Sequence, residues 1–229
     1  MKIDQFEYNR NSEMLSDTKC ISIFGYGSLI WKPEFEFNSR VVGFIQGYKR
    51  RFYQSSVTHR GTVESPGRVA TIIKDNKSTV WGVSYRIIGE EKISKALEHL
   101  FGREIQTGGY CNEEILFYPN DITAEPHITN VYVALEDNDL FVGSGGSLEI
   151  QAYQIVKAKG FCGRNIEYVA KVADFMENEL TKNWEEFDPY LYKLMRLIRA
   201  FEKGVRRPSS SIVHTVSKFR FKNDDVGRY

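Results

Sequence analysis

Partway along this chain the spacing of its apolar residues changes, and that change sets the class of fold. Up to about residue 135 most apolar residues fall in short alternating or wholly apolar runs, the pattern of strands. Residues 21–24, 41–45, 51–54, 68–73, 115–118 and 129–135 are such runs. Asp75-Asn76-Lys77-Ser78 predicts a turn, with residues 80–86 as the return arm of a hairpin. One helical stripe interrupts them, formed by Ile93, Ala96, Leu97 and Leu100, and it gives way near Gly102 to a turn-rich loop over 103–110. After the glycine-rich 143–146 the period becomes helical. Ser147 is placed to cap a helix carrying Leu148, Ala152 and Ile155, with Gly160 as its stop. Ile166, Val169, Ala170, Ala173 and Leu180 form a second stripe. Asp188-Pro189 starts a third, which runs to Gly204. Strands, one helix, strands, then helices predict an α+β fold and not a doubly wound parallel sheet.

Residues 1–19 are polar and irregular and read as an N-terminal extension. Residues 20–205 carry the periodic pattern. Residues 206–229 form a basic C-terminal tail in which 212–216 can add an edge strand. With 229 residues, 41% of them hydrophobic, there is ample material for a buried core. A formal net charge of +1 gives no bias toward nucleic acid. No run is long or apolar enough to span a membrane, and the start lacks a signal-peptide pattern, so the expected compartment is cytoplasmic. Cys20, Cys111 and Cys162 are widely spaced, and His59, His99, His127 and His214 show no paired spacing. Disulfides and a zinc site are therefore not expected. The composition does not indicate an oligomeric state.

The stretch Phe24-Gly25-Tyr26-Gly27-Ser28-Leu29-Ile30-Trp31 ends the first strand. Two glycines around a tyrosine let the chain turn sharply and present backbone N–H groups to a small, oxygen-rich ligand; equally, they make a plain tight turn. Neither a dinucleotide fingerprint nor a phosphate loop is completed, since Ile30 stands where the last glycine is needed. Ser28 lacks a nucleophile elbow and a marked histidine base. Glu104 lies just past the core-packing helix. At a cleft mouth its pKa would be raised by desolvation, fitting it for acid–base work; exposed, it would simply pair with Arg103. Arg68 can grip a carboxylate or sit at a strand end. Gln54 faces either substrate or backbone, and Tyr168 reads first as core.

Taken together these segments resemble the ChaC family of glutathione-specific gamma-glutamylcyclotransferases. The likeness rests on residues 24–32, Arg50-Arg51-Phe52 with Gln54, His59-Arg60-Gly61, Pro66-Gly67-Arg68-Val69 and Trp81-Gly82-Val83. It continues through Arg103-Glu104, Gly108-Gly109-Tyr110, Phe117-Tyr118-Pro119, and Gly163-Arg164-Asn165 with Glu167-Tyr168. It implies a small mixed β-barrel with flanking helices and release of 5-oxoproline and Cys-Gly from glutathione, without cofactor. In that likeness Glu104 is the catalytic acid–base. Tyr26, Gly27, Ser28, Leu29, Gln54, Arg68, Tyr110 and Tyr168 line the substrate pocket. Thr58 departs from the aspartate of many relatives, and residues 138–143 lack a common proline; both changes bear on the Cys-Gly half. The alternatives are a cyclotransferase for other gamma-glutamyl compounds and a binding module that keeps the pocket without turnover.

Overall fold

Five strands close into a barrel, and its inward-facing side chains are the apolar members of the runs described above. The computed structural model describes residues 19–106, 109–180 and 183–219. The expected N-terminal extension, apart from residue 19, and the last ten residues of the expected tail lie outside them. The strands are β1 (Cys20–Gly25), β2 (Ser39–Ser56), β3 (Gly67–Ile88), β4 (Tyr110–Pro119) and β5 (His127–Ala134). Their order around the barrel is β1-β3-β2-β4-β5. All neighbours are antiparallel except the closing pair, where Ile23 and Phe24 of β1 run parallel to Asn130 and Val131 of β5. Closure leaves the barrel itself without an unpaired edge; apart from it, Lys159–Gly160 and Gly163–Arg164 pair as a short antiparallel ribbon.

Two sequence expectations change here. Residues 80–86 do not return against 68–73. Both segments pair with the single long β2, Arg50 opposite Ile72 and Val42 opposite Val83, so β3 is one strand. Asp75–Ser78 is an excursion within it, opposite Gly47 at φ +85°, with the Asp75 carboxylate accepting from the Lys77 N–H. A local turn signal marks a bulge as readily as a hairpin, because both need the same side-chain-to-backbone bond. Residues 212–216, read as an edge strand, instead lie in a helix, Ser210–Lys218, whose N-cap Ser209 accepts from the Ile212 N–H.

The helices are α1 (Glu90–Leu100), α2 (Leu148–Lys157), α3 (Asn165–Glu179), the single turn α4 (Trp184–Phe187), α5 (Pro189–Glu202) and α6 (Ser210–Lys218). Ser147 caps α2 and Asp188 caps α5, with Pro189 in its first turn, as the sequence implies. The chain leaves α2 at the extended Ala158, two residues before the expected glycine stop.

Two cores meet at the site. The larger joins the barrel interior (Phe24, Ile45, Phe52, Ile72, Val83, Phe117) to Ile155, Val169, Met176, Leu191 and Ile198 of α2, α3 and α5. The smaller lies under α1, where Ile93, Ala96 and Leu100 pack on Ile23, Ile87, Tyr110 and Tyr132. Leu97 of the expected stripe stays 38% exposed. Tyr26 and Ile30 belong to the first core and Leu29 to the second, so the loop after β1 is clamped between them. No described helix is long and apolar enough to cross a membrane.

Candidate active site

Beyond Gly25 the chain turns through Tyr26 and Gly27 into one 3-10 turn, Ser28–Ile30. The glycines are there for space. A Cβ at Gly25 would lie 2.7 Å from the Leu29 Cβ, and one at Gly27 would lie 2.8 Å from the Tyr168 hydroxyl. The carbonyls of Gly27 and Ser28 accept from Ile30, Trp31 and Lys32. A helical start leaves its first N–H groups without internal acceptors. Here those belong to Gly27, Ser28 and Leu29, all three lining an open cavity of about 1120 Å³.

Glu104 reaches the same cavity from the other side. The expected loop after α1 is a widened helical turn, Phe101–Gln106, of the π type that often marks functional sites. Leu100, fully buried, fixes where this turn begins. The Glu104 side chain is only 15% exposed, with Oε1 2.9 Å from the Arg103 Nε. Burial pushes its carboxyl pKa up, and Arg103 opposes part of that rise. Glu104 thus pairs with Arg103, but at a buried position lining the cavity and not as the exposed loop glutamate of the second sequence reading.

Arg103 does more than neutralise its neighbour. Its Nη2 donates to the Ser28 Oγ at 2.6 Å, and its Nη1 to the Lys32 carbonyl at 3.0 Å and to Glu34 at 3.2 Å. Glu34 also holds Lys32 at 2.9 Å. Its φ of +61° is the one left-handed non-glycine conformation among the described residues. One guanidinium thus ties the carboxylate to the loop opposite it. The sequence relates Arg103 only to the adjacent Glu104, because nothing local in it links Arg103 to Ser28.

Three buried phenols stand around Glu104. The Tyr26 hydroxyl donates to the Tyr132 carbonyl at 2.6 Å, and that of Tyr110 to the Ala70 carbonyl at 3.0 Å. The Tyr168 oxygen instead accepts from the Ala70 N–H at 3.2 Å, which keeps its own proton available to a ligand. Burial raises all three pKa values, and the Glu104 charge raises them further. Gln54, 1% exposed, lines the cavity with its amide bonded to the Asn138 carboxamide at 3.1 Å. Asn138 carried no functional signal in the sequence.

Arg68 is the correction. It does not line the cavity. Its fully buried guanidinium donates to Gln154 at 2.7 Å and to the carbonyls of Phe52, Gly143 and Ser144 at 2.9, 3.0 and 3.2 Å. Side chains alternate across a strand, and the face that Arg68 takes packs on α2. There it fastens the 143–146 loop. Tyr26, Gly27, Ser28, Leu29, Gln54, Glu104, Tyr110 and Tyr168 all converge on the one cavity. Among the described residues no cluster of His, Cys, Asp and Glu suits a metal ion.

Known proteins share this arrangement of chain. The sequence profile of the family described as ChaC-like protein matches residues 21–201. The rat protein named glutathione-specific gamma-glutamylcyclotransferase 1 is 44% identical over 161 residues, covering 70% of this chain and 72% of its own. Its zebrafish namesake is 37% identical over 182 residues, covering 80% and 90%. The crystal structure of a selenomethionine-labelled, glutathione-specific gamma-glutamyl cyclotransferase from yeast superposes with a TM-score of 0.70 at 28% identity, over 80% of this chain and 96% of that one. The chain belongs to the ChaC-like protein family.

Proposed function

We propose that this protein is a glutathione-specific gamma-glutamylcyclotransferase of the cytoplasm, with Glu104 as its general base and acid. The family and the names of its relatives support the activity. The observation that carries the mechanism is a buried carboxylate facing a loop whose first N–H groups have no internal acceptor, across one cavity.

The reaction needs no water. The α-amine of the gamma-glutamyl group attacks its own γ-carbonyl, a five-membered ring closes, and the bond to the cysteinyl nitrogen breaks. Intramolecular attack in a well-oriented geometry is worth effective molarities of about 10⁵–10⁸ M, so holding the substrate folded is most of the task. Walls of Tyr26, Tyr110 and Tyr168 beside the 26–29 loop do that holding. The resting ammonium must lose a proton before it can attack, and the raised pKa of Glu104 suits it to take one near neutral pH. Both protons lost by the ammonium reappear on the cysteinyl nitrogen, which leaves as the ammonium of Cys-Gly. The N–H groups of Gly27, Ser28 and Leu29 are placed to receive the oxyanion, each such donor being worth roughly 10²–10³ in rate.

The test is a product assay. Purified protein given reduced glutathione should release 5-oxoproline and Cys-Gly in equal amounts, faster than it releases 5-oxoproline from gamma-glutamyl-alanine. Equal rates would favour a broader gamma-glutamyl cyclotransferase. Glutathione binding without product would favour a non-catalytic module.

A further inference from the structure

The cavity is larger than a gamma-glutamyl group requires, and its charges are unevenly committed. Four cationic side chains line it, Lys32, Arg60, Arg103 and Lys171, against the carboxylates of Glu34 and Glu104. Lys32 and Arg103 are engaged by those two carboxylates. Among the described residues, Arg60 and Lys171 are engaged by neither of these two carboxylates.

Arg60 is held there by rigid backbone. Its N–H donates to the Ser56 Oγ at 3.0 Å, while the carbonyls of Thr58 and His59 accept from Phe161 and Cys162 at 2.9 Å each. Gly61 and Gly160 leave no room for a Cβ: at Gly160 it would lie 2.4 Å from the Thr58 carbonyl oxygen. The Arg60 side chain is 12% exposed, and its bonds are long: 3.3 Å from Nη1 to the Arg164 carbonyl and 3.4 Å to Glu167, a residue itself 54% exposed. Its Nε and Nη2 make no hydrogen bond among the described residues. The guanidinium carbon stands 5.9 Å from the centre of the Tyr168 ring, whose hydroxyl end abuts Gly27. Lys171 is one helical turn beyond Tyr168 on α3. It has no ion pair among the described residues, and its ammonium lies 5.5 Å from the Trp31 ring.

We propose that Arg60, assisted by Lys171, is the subsite for the C-terminal carboxylate of the tripeptide substrate and the source of preference for it. The proposal rests on the cyclotransferase reading. With the γ-carbonyl at the 26–29 loop, the glycine carboxylate lies two extended residues away, roughly 7 Å. That reach runs along the Tyr168 ring toward Arg60. A guanidinium with two unused donors matches a carboxylate bidentately. The contact with the exposed Glu167 is long and engages only Nη1, so a carboxylate seated bidentately would make the better-aligned pair.

The experiment compares glutathione with its C-terminal amide, which lacks only the charge, on the wild type, Arg60→Gln, Arg60→Lys and Lys171→Gln. Turnover and equilibrium binding are both measured. The wild type should favour the acid by about tenfold to a hundredfold, mainly in KM, the scale of a charged hydrogen bond. Arg60→Gln should collapse that ratio toward one, Arg60→Lys should restore part of it, and Lys171→Gln should reduce it by less. Equal losses for acid and amide in Arg60→Gln, with the ratio preserved in Lys171→Gln, would overturn the subsite. If the wild type makes no 5-oxoproline, the cyclotransferase reading fails by itself. The binding ratios still decide the subsite, because Lys171 is an exposed helical position whose change leaves the fold intact.

Discussion

Glu104 holds its place by an opposition of two effects. Burial favours its neutral form, and the Arg103 guanidinium at 2.9 Å favours the charged one, with burial the stronger. The base must be ionised to work, so the acid limb of the kcat/KM profile should lie above the usual carboxylate range. Replacing Arg103 by Gln removes the charge that holds the pKa down, and should move that limb to higher pH. A pH–rate series on both proteins checks this; a limb that stays or moves to lower pH contradicts it. The same residue costs stability. A carboxyl whose folded pKa is raised is most compatible with the fold below its ordinary pKa, and that advantage is lost as pH rises through the raised value. At neutral pH a neutral amide in its place should leave the unfolding midpoint equal or higher.

At the scale of elements, the site is a loop and a widened helical turn gripped between two cores. The loop acts through its backbone, so the glycines should matter more than the serine hydroxyl. Gly27→Ala puts a methyl 2.8 Å from the Tyr168 hydroxyl and must shift the phenol or the loop. It should lower kcat/KM by about tenfold or more, the effect of a misplaced donor. Ser28→Ala loses only the bond from Arg103 and should lose less; the reverse order would count against a backbone cradle. This scale also marks what could be read in advance. Periodicity gave the strand-forming segments, α1 to α3 and α5, because it reports which face is buried; it did not show that 41–45 with 51–54, and 68–73 with 80–86, are each one continuous strand. The 26–29 loop and Glu104 came from residue types and from the family likeness. The side to which Arg68 turns did not, since an arginine entering a strand reads alike whether it meets substrate or three backbone carbonyls. The helix over 210–218 was hidden because its amphipathic stripe is short and Ile212, Val213, Thr215 and Val216 are β-branched.

Across the whole molecule, barrel and helices are joined by a buried ion pair. Arg50 of β2 donates to the carboxylate of Asp188 at 2.9 Å and to the Trp81 carbonyl of β3, while Asp188 caps α5 through the Leu191 N–H. Removing one partner strands a buried charge, so Asp188→Asn should lower stability by about 3–5 kcal/mol, read as a shift in denaturant midpoint. A change below about 1 kcal/mol would mean that the helical layer docks without it. With that layer in place α3 brings Tyr168 over the opening loop, and α1 brings Glu104 to face it. The measurement that bears most directly on this arrangement is the turnover of glutathione by Glu104→Gln beside the wild type. The expected result is a fall in kcat of about 10²–10⁴-fold, with glutathione still bound and the unfolding midpoint not lowered. A folded variant that releases 5-oxoproline within tenfold of the wild-type rate would contradict the assignment of Glu104 as the base.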